Sequence, residues 1–320
     1  LRGAGAAAMV IYLPSLNLPL ARPPAPRRAG VNFDPVPASL RDEVIVARGH
    51  HVKRLLSWGD PILPGAPPFD PEDLTAEAQT GQFGYNCDYV GFMPLPRGSQ
   101  NAEHGLLVVN HEYTNPELMF PDFRLEALNE RQMAVQLAAH GLSVVEVRRD
   151  RDGWRVVPNS PYARRITGTT PTRVTGPAAG HQLLRTAVDP TGTVATGTLA
   201  NCSAGVTPWG TVLSGEENFH LYFGRRDELE DDGLRTIHAR YGLPRGVSNF
   251  GFEQLDPRFD LGKEPREAFR FGWVVELDPY DPAWMPRKRT ALGRIRREGA
   301  TSVVGGDGRL VLYSGDDIPF

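Results

Sequence analysis

Four short segments of this chain carry acidic or thiol side chains inside stretches that otherwise read as strand and tight turn. They are Phe-Gly-Tyr-Asn-Cys-Asp at 83–88, Val-Asn-His-Glu-Tyr at 109–113, Trp-Gly-Thr-Val-Leu-Ser-Gly-Glu-Glu at 209–217 and Arg-Arg-Glu-Gly at 296–299. A carboxylate packed against a strand is costly unless it is paired or bound to a cation. One thiol, Cys87, and four glutamates, Glu112, Glu216, Glu217 and Glu298, come from distant parts of the chain. Together they predict a shared site for more than one metal ion.

Each segment has a chemical reading and a plainer one. Cys87, between Asn86 and Asp88, is either a small buried hydrophobe or a thiolate ligand to a borderline metal such as iron, with Asp88 beside it. A lone thiol among carboxylates does not suit structural zinc, which takes closed sets of Cys and His. Glu112, at the carboxyl end of a strand, is a better ligand candidate than His111, which reads as packed or supporting. Asn110 and Asn115 offer amide oxygens of the kind calcium accepts. Neighbours on a strand face opposite sides, so Glu216 and Glu217 serve one site only if the strand ends or bulges at Gly215; otherwise they form a solvated strand end. Arg296 and Glu298, two apart on what reads as a basic edge strand, share a face, one suited to an anion and the other to a cation. Arg164 and Arg165 are further candidates for holding phosphate. Cys202 sits in a different context, Asn-Cys-Ser-Ala-Gly at 201–205, so the two cysteines read as independent thiols with Cys87 the functional one. No Gly-rich phosphate loop, serine nucleophile elbow, HExxH helix or EF-hand loop occurs.

Side chains so scattered need a scaffold of many short elements. The chain has 34 glycines and 29 prolines in 320 residues, spread without period, which implies many turns and many short strands. Residues 41–56 read as a strand pair and 61–81 as a long loop with a helical patch at 72–79. Residues 106–109 read as a buried strand, 141–147 and 154–158 as a hairpin, and 271–278 and 309–314 as strands. Only 125–139 and 226–241 look helical. The pattern predicts an all-β sandwich, barrel or propeller with small helical insertions. A net charge of −3 gives no electrostatic case for nucleic acid.

Residues 1–30 read as a leader. The first 21 are small and apolar, too short and too interrupted by proline for stable membrane insertion, and resemble the part of a Tat export signal that follows its twin arginines; a disordered leader is the plainer reading. At the other end the chain reads as cut within a domain, just after the strand at 309–314.

The wording and order of the segments carry more than their composition. Trp-Gly-Asp at 58–60, the segments at 83–88 and 109–117, Arg-Arg-Ile-Thr-Gly at 164–168, and those at 175–181, 201–211, 216–218, 271–282 and 292–300 resemble, in sequence, the PhoX-type alkaline phosphatases from about residue 40 onward. The resemblance implies a secreted or periplasmic phosphomonoesterase, delivered by the Tat export machinery, on a six-bladed β-propeller of which 31–320 would be the N-terminal part. It implies a cluster of Fe3+ and Ca2+ at the propeller's central end. Carried over by motif, Cys87 would be the thiolate to iron, Glu216, Glu217 and Glu298 would hold or bridge the metals, and Arg296 would orient the phosphate, with Glu217 and Arg296 acting in catalysis. Glu112 and Asp88 match by segment and join the ligand set more loosely. Such a cluster suits phosphate monoesters, whose dianion repels a nucleophile until cations neutralise it. The sequence departs from the family at Ser57, where a basic residue is frequent, and at Gly215, where many members carry cysteine. Two other readings stand beside this one: a calcium-dependent propeller lactonase or esterase, in which Cys87 is dispensable, and a non-catalytic secreted propeller binding module.

Overall fold

The computed structural model describes residues 35–318, which divide between Arg54 and Leu55 into two units; the leader expected at 1–30 lies outside them. The described part of the first unit, 35–54, forms no strand. The strand pair expected at 41–56 is therefore absent. Val44, Val46 and Val52 alternate as a strand would, but all are exposed and no apolar face covers them. Among the described residues, no helix is long and apolar enough to cross a membrane.

The second unit is mostly sheet. Five strands, β1 (Cys87–Pro94), β2 (His104–His111), β3 (Gly141–Asp150), β4 (Gly153–Val156) and β5 (Arg164–Ile166), make an antiparallel sheet in the order β1-β2-β3-β4, with β5 also pairing with β3. The hairpin expected at 141–158 is β3–β4. Six more, β6 (Pro171–Thr175), β7 (Val194–Thr196), β8 (Asn201–Val206), β9 (Val212–Glu216), β10 (Val274–Leu277) and β11 (Arg287–Arg289), run β7-β6-β11-β10-β9-β8, with only β6 and β11 parallel. A last hairpin joins β12 (Thr301–Val304) to β13 (Leu310–Tyr313). The described sheets do not close on one another. Helices are short: α1 (Ala76–Gln79), α2 (Pro116–Met119), α3 (Glu130–Ala139) and α4 (Asp232–Arg240). The two expected helical regions are real but each opens with a 3-10 turn before its α-helix. Asn129 and Gln132 cap the start of α3 reciprocally, which fixes where it begins.

The two large sheets share a core. Met93, Leu106, Val108, Leu142, Val144 and Ile166 of the first meet Ala204, Val212 and Leu277 of the second. The first seven residues of β3 are all buried, so both faces of that strand are covered and its sequence runs apolar rather than alternating. Burial on this scale fixes where the strand ends fall.

Those ends bring the chemistry together. In an antiparallel hairpin the start of one strand lies beside the end of the other. Cys87 opposes His111, which puts Asp88 near Glu112; Asn201 opposes Glu216, which puts Cys202 near Glu217. Both pairings slip register just after that first pair, between Cys87 and Val90 and between Asn201 and Ala204. These irregularities fall on the residues that carry donors, and such bulges turn side chains out of the pleat.

The third contribution comes from residues 294–298, which form no edge strand; only Arg297 makes an isolated bridge, to Asp316. The reason is steric. This stretch crosses the β8–β9 hairpin so closely that a Cβ at Gly215 would lie 2.4 Å from the Arg297 carbonyl oxygen, and one at Gly205 would lie 2.2 Å from that of Ala300. Gly215 thus permits a backbone crossing within a regular strand rather than breaking it. Gly215→Ala is expected to cost about 1–3 kcal/mol by overpacking against backbone, read from urea unfolding. Gly306→Ala, where an added Cβ meets nothing within 4 Å, should stay within about 0.5 kcal/mol of the parent.

Candidate metal centre

Asp88, Glu112 and Cys202 offer ligand atoms that all lie within 4.8 Å of one another. Glu217 joins them by accepting a hydrogen bond from the Cys202 thiol, and it shares a second one with the carboxyl of Asp317. Glu298 stands at the rim, close enough to act on Glu112 through its charge, and opens onto a surface recess lined by Ser203, Tyr313 and Ser314. Asn218 ties the group together. Its amide hydrogen-bonds the carboxylates of Glu112 and Glu217, and its Oδ1 accepts from Arg296 Nη2 at 2.7 Å. Arg296 Nε is buried without a partner.

The electrostatics are those of a site short of positive charge. Burial, followed by repulsion from Asp88 and Glu217, pushes the Glu112 carboxyl up to about 7. Burial and the shared hydrogen bond with Asp317 push Glu217 up as well. The Cys202 thiol is driven far above its ordinary value by burial and the carboxylates around it. Among the described residues no lysine or arginine forms an ion pair with any of these acids. A partly dry set of one thiol and several carboxylates with no lysine or arginine partner is able to hold a metal cation. Oxygen-rich donors suit hard cations and the thiol suits a borderline one.

The supporting residues hold the strand ends in place. Asn110, fully buried on β2, donates through Nδ2 to the carbonyl of Cys202 and so joins the two hairpins. His111 is buried and kept neutral by desolvation; its Nδ1 lies 3.1 Å from the Tyr85 carbonyl and its Nε2 2.7 Å from Ser143 Oγ. It is packed, not a ligand. Asn86 and Ala200, each two residues ahead of a donor, take left-handed φ values of 42° and 54°. For alanine that conformation is strained by about 1–3 kcal/mol, as is common beside functional sites.

Three expectations change. The thiol brought to the carboxylates is Cys202; Cys87 is exposed, outside the group, and neither cysteine is in a disulfide. The bulge at Cys202–Ser203 is what aims Cys202 inward, and hairpin pairing with the Glu216–Glu217 end was the signal for it. Glu216 points the other way. Its carboxylate is fully buried against Lys288 Nζ at 2.8 Å, Thr198 Oγ1 at 2.8 Å and the Trp273 amide at 3.3 Å. Arg164 and Arg165 are engaged by the fold: Arg164 donates to the carbonyls of Asp281 and Trp284, and Arg165 to those of Ala138, His140 and Leu142 and to Ser143 Oγ. Asn218 and Asp317 were missed as site residues, because an amide and an aspartate in a Ser-Gly-Asp-Asp segment read as ordinary surface residues in a sequence.

The family model described as alkaline phosphatase PhoX matches residues 31–320. Among solved structures, Pseudomonas fluorescens PhoX in complex with vanadate, a transition state analogue, is 41% identical with a TM-score of 0.83, over 89% of this chain and 48% of that one. The chain spans about half the length of that relative. No curated protein matches it.

Charge shortage makes stability depend on pH and metal together. The folded pKa of Glu112 lies above the unfolded value of about 4.3. Without metal, Glu112 therefore contributes stability that is lost as pH rises from about 4.5 to about 7. Metal binding needs the deprotonated form, so its stabilisation grows over the same range. The gap in Tm between metal-loaded and chelator-treated protein is expected to widen from pH 5 to pH 8; an unchanged gap would contradict the assignment of Glu112 to the site.

Proposed function

We propose that this chain, which belongs to the PhoX alkaline phosphatase family, is the metal-binding part of a phosphomonoesterase that hydrolyses phosphate monoesters at a centre built on Asp88, Glu112, Cys202, Glu217 and Glu298. The observation that carries the reading is the meeting of an unneutralised thiol–carboxylate cluster with Arg296 at one end of two packed sheets. The vanadate in the solved relative, a transition state analogue there, agrees with a site built for phosphoryl transfer.

The residues divide by chemistry. Cys202, with Glu217 and Glu112, suits Fe3+, while the remaining carboxylates suit Ca2+ with its tolerance for oxygen donors. When bound, such cations supply the positive charge that a phosphate dianion and its transition state require. Arg296, held by Asn218, presents a guanidinium to the phosphate oxygens and fixes the phosphoryl group for in-line attack. A water-derived oxygen forms the new P–O bond as the bond to the leaving alcohol breaks, and the alkoxide takes up a proton. Glu217 stays near that chemistry as a ligand and through its contact with Asp317. The sheets are read as blades of a six-bladed propeller, and the protein as a Tat-exported periplasmic or secreted enzyme.

The test is hydrolysis of p-nitrophenyl phosphate at alkaline pH by the full-length protein with its metals. Glu217→Gln, Cys202→Ala and Arg296→Ala are each expected to lower kcat/KM by about 100-fold or more, and chelation should abolish turnover. Cys87→Ala should remain near the parent rate. Activity that survives both chelation and Cys202→Ala would overturn the metal centre.

A further inference from the structure

A slot of about 270 Å3 opens beside the acidic cluster. Glu112 and Asn218 form its polar end, Leu221, Tyr222 and Phe250 its apolar walls, and the exposed Asn249 stands at its mouth. The wall is rigid. Tyr222 and Phe250 stack with centroids 4.3 Å apart and planes within 4° of parallel. The Tyr222 hydroxyl lies 2.7 Å from His140 Nε2, while His140 Nδ1 lies 2.6 Å from the Gln136 carbonyl at the end of α3. His140 is fully buried and neutral, so Nδ1 donates to that carbonyl and Nε2 accepts from the tyrosine.

Transfer of a phosphoryl group uses the cluster and Arg296; it has no need of an apolar wall. The ester's organic part, however, must lie next to the phosphorus, and this slot shares Glu112 and Asn218 with the cluster. Its size matches a single ring. A cavity of about 150 Å3 lined by Leu, Ile and Phe holds benzene, whereas sites for drug-sized ligands run to about 300–1,000 Å3. The slot therefore has room for one substituted ring, with larger groups extending past Asn249 into solvent.

Resting on the phosphomonoesterase reading, we propose that the slot is the subsite for the leaving alcohol, selecting monoesters of single-ring aromatic or heteroaromatic alcohols, with Leu221 and Phe250 setting the specificity. The ring lies against Phe250 and Leu221, and the Asn249 amide meets a polar ring substituent at the mouth.

Binding without turnover tests this apart from activity. In the metal-loaded protein, phenylphosphonate is expected to bind about tenfold more tightly than methylphosphonate by calorimetry. Leu221→Phe, which fills the slot, and Asn249→Trp, which caps its exposed mouth without touching the core, should each remove that preference while leaving methylphosphonate affinity in place. Equal affinities in the parent, or a preference that survives both substitutions, overturns the subsite. Neither phosphonate is hydrolysed, so a lack of phosphatase activity alongside an intact, slot-dependent preference counts against the catalytic reading alone. Failure of both phosphonates to bind overturns both.

Discussion

Negative charge gathered without an internal cation is the constraint on which this structure turns. Asp88, Glu112, Glu217, Glu298 and Asp317 approach one another around a buried thiol, and no lysine or arginine among the described residues forms an ion pair with them. Left alone, such a set resists folding, since each ionised neighbour raises the cost of the next. Burial first and this repulsion second hold the Glu112 carboxyl above its ordinary range. Strand packing overrides it, because the hairpins that deliver the acids also bury the apolar face shared by both sheets. The fold thus forces together groups that a proton or an external cation must satisfy.

Glu216 and Glu217 show how sharply one residue step divides the two solutions. Glu216, the last residue of β9, turns into the sheet and meets Lys288, whose ammonium also donates to the Arg270 carbonyl and lies 3.8 Å from the centre of the Phe271 ring. Both charged groups are fully buried, and each compensates the other. Removing one partner of such a pair characteristically costs about 3–5 kcal/mol, which makes it a device for fixing the β9–β10–β11 register. Glu217, one step on, turns out of the sheet toward Cys202 and finds only acids and an amide. Adjacent glutamates thus serve opposite ends, one completing the protein and the other leaving it incomplete.

This division explains what could be read in the sequence. The apolar run at 141–147 and the turn residues after it were enough to define β3 and its hairpin, because local pattern and tertiary burial agree there. The acidic segments were visible too, since carboxylates in apolar strands are conspicuous. What a sequence does not display is direction. Whether Glu216 or Glu217 faces the site depends on where β9 ends, and whether Cys87 or Cys202 does so depends on bulges of a single residue. Val44, Val46 and Val52 failed for the converse reason: alternation marks a strand only if a second apolar surface exists to cover it. The path of 294–298 was hidden for a third reason, since Gly205 and Gly215 permit a crossing that only the folded chain reveals.

Asn218 links the acidic cluster to Arg296 and to the apolar slot. Its amide has one acceptor oxygen and two N–H donors, each fixed by its partners: Oδ1 receives Arg296, and the nitrogen serves Glu112 and Glu217. The residue also lines the slot bounded by Leu221 and Phe250. A single planar side chain therefore sets the distance between a guanidinium suited to phosphate, the carboxylates suited to metal and the apolar space beyond. An aspartate there would add charge to a set already short of cations and would draw Arg296 into an ion pair. A neutral amide holds that guanidinium by a hydrogen bond and leaves its charge unpaired, so it stays available to an anion.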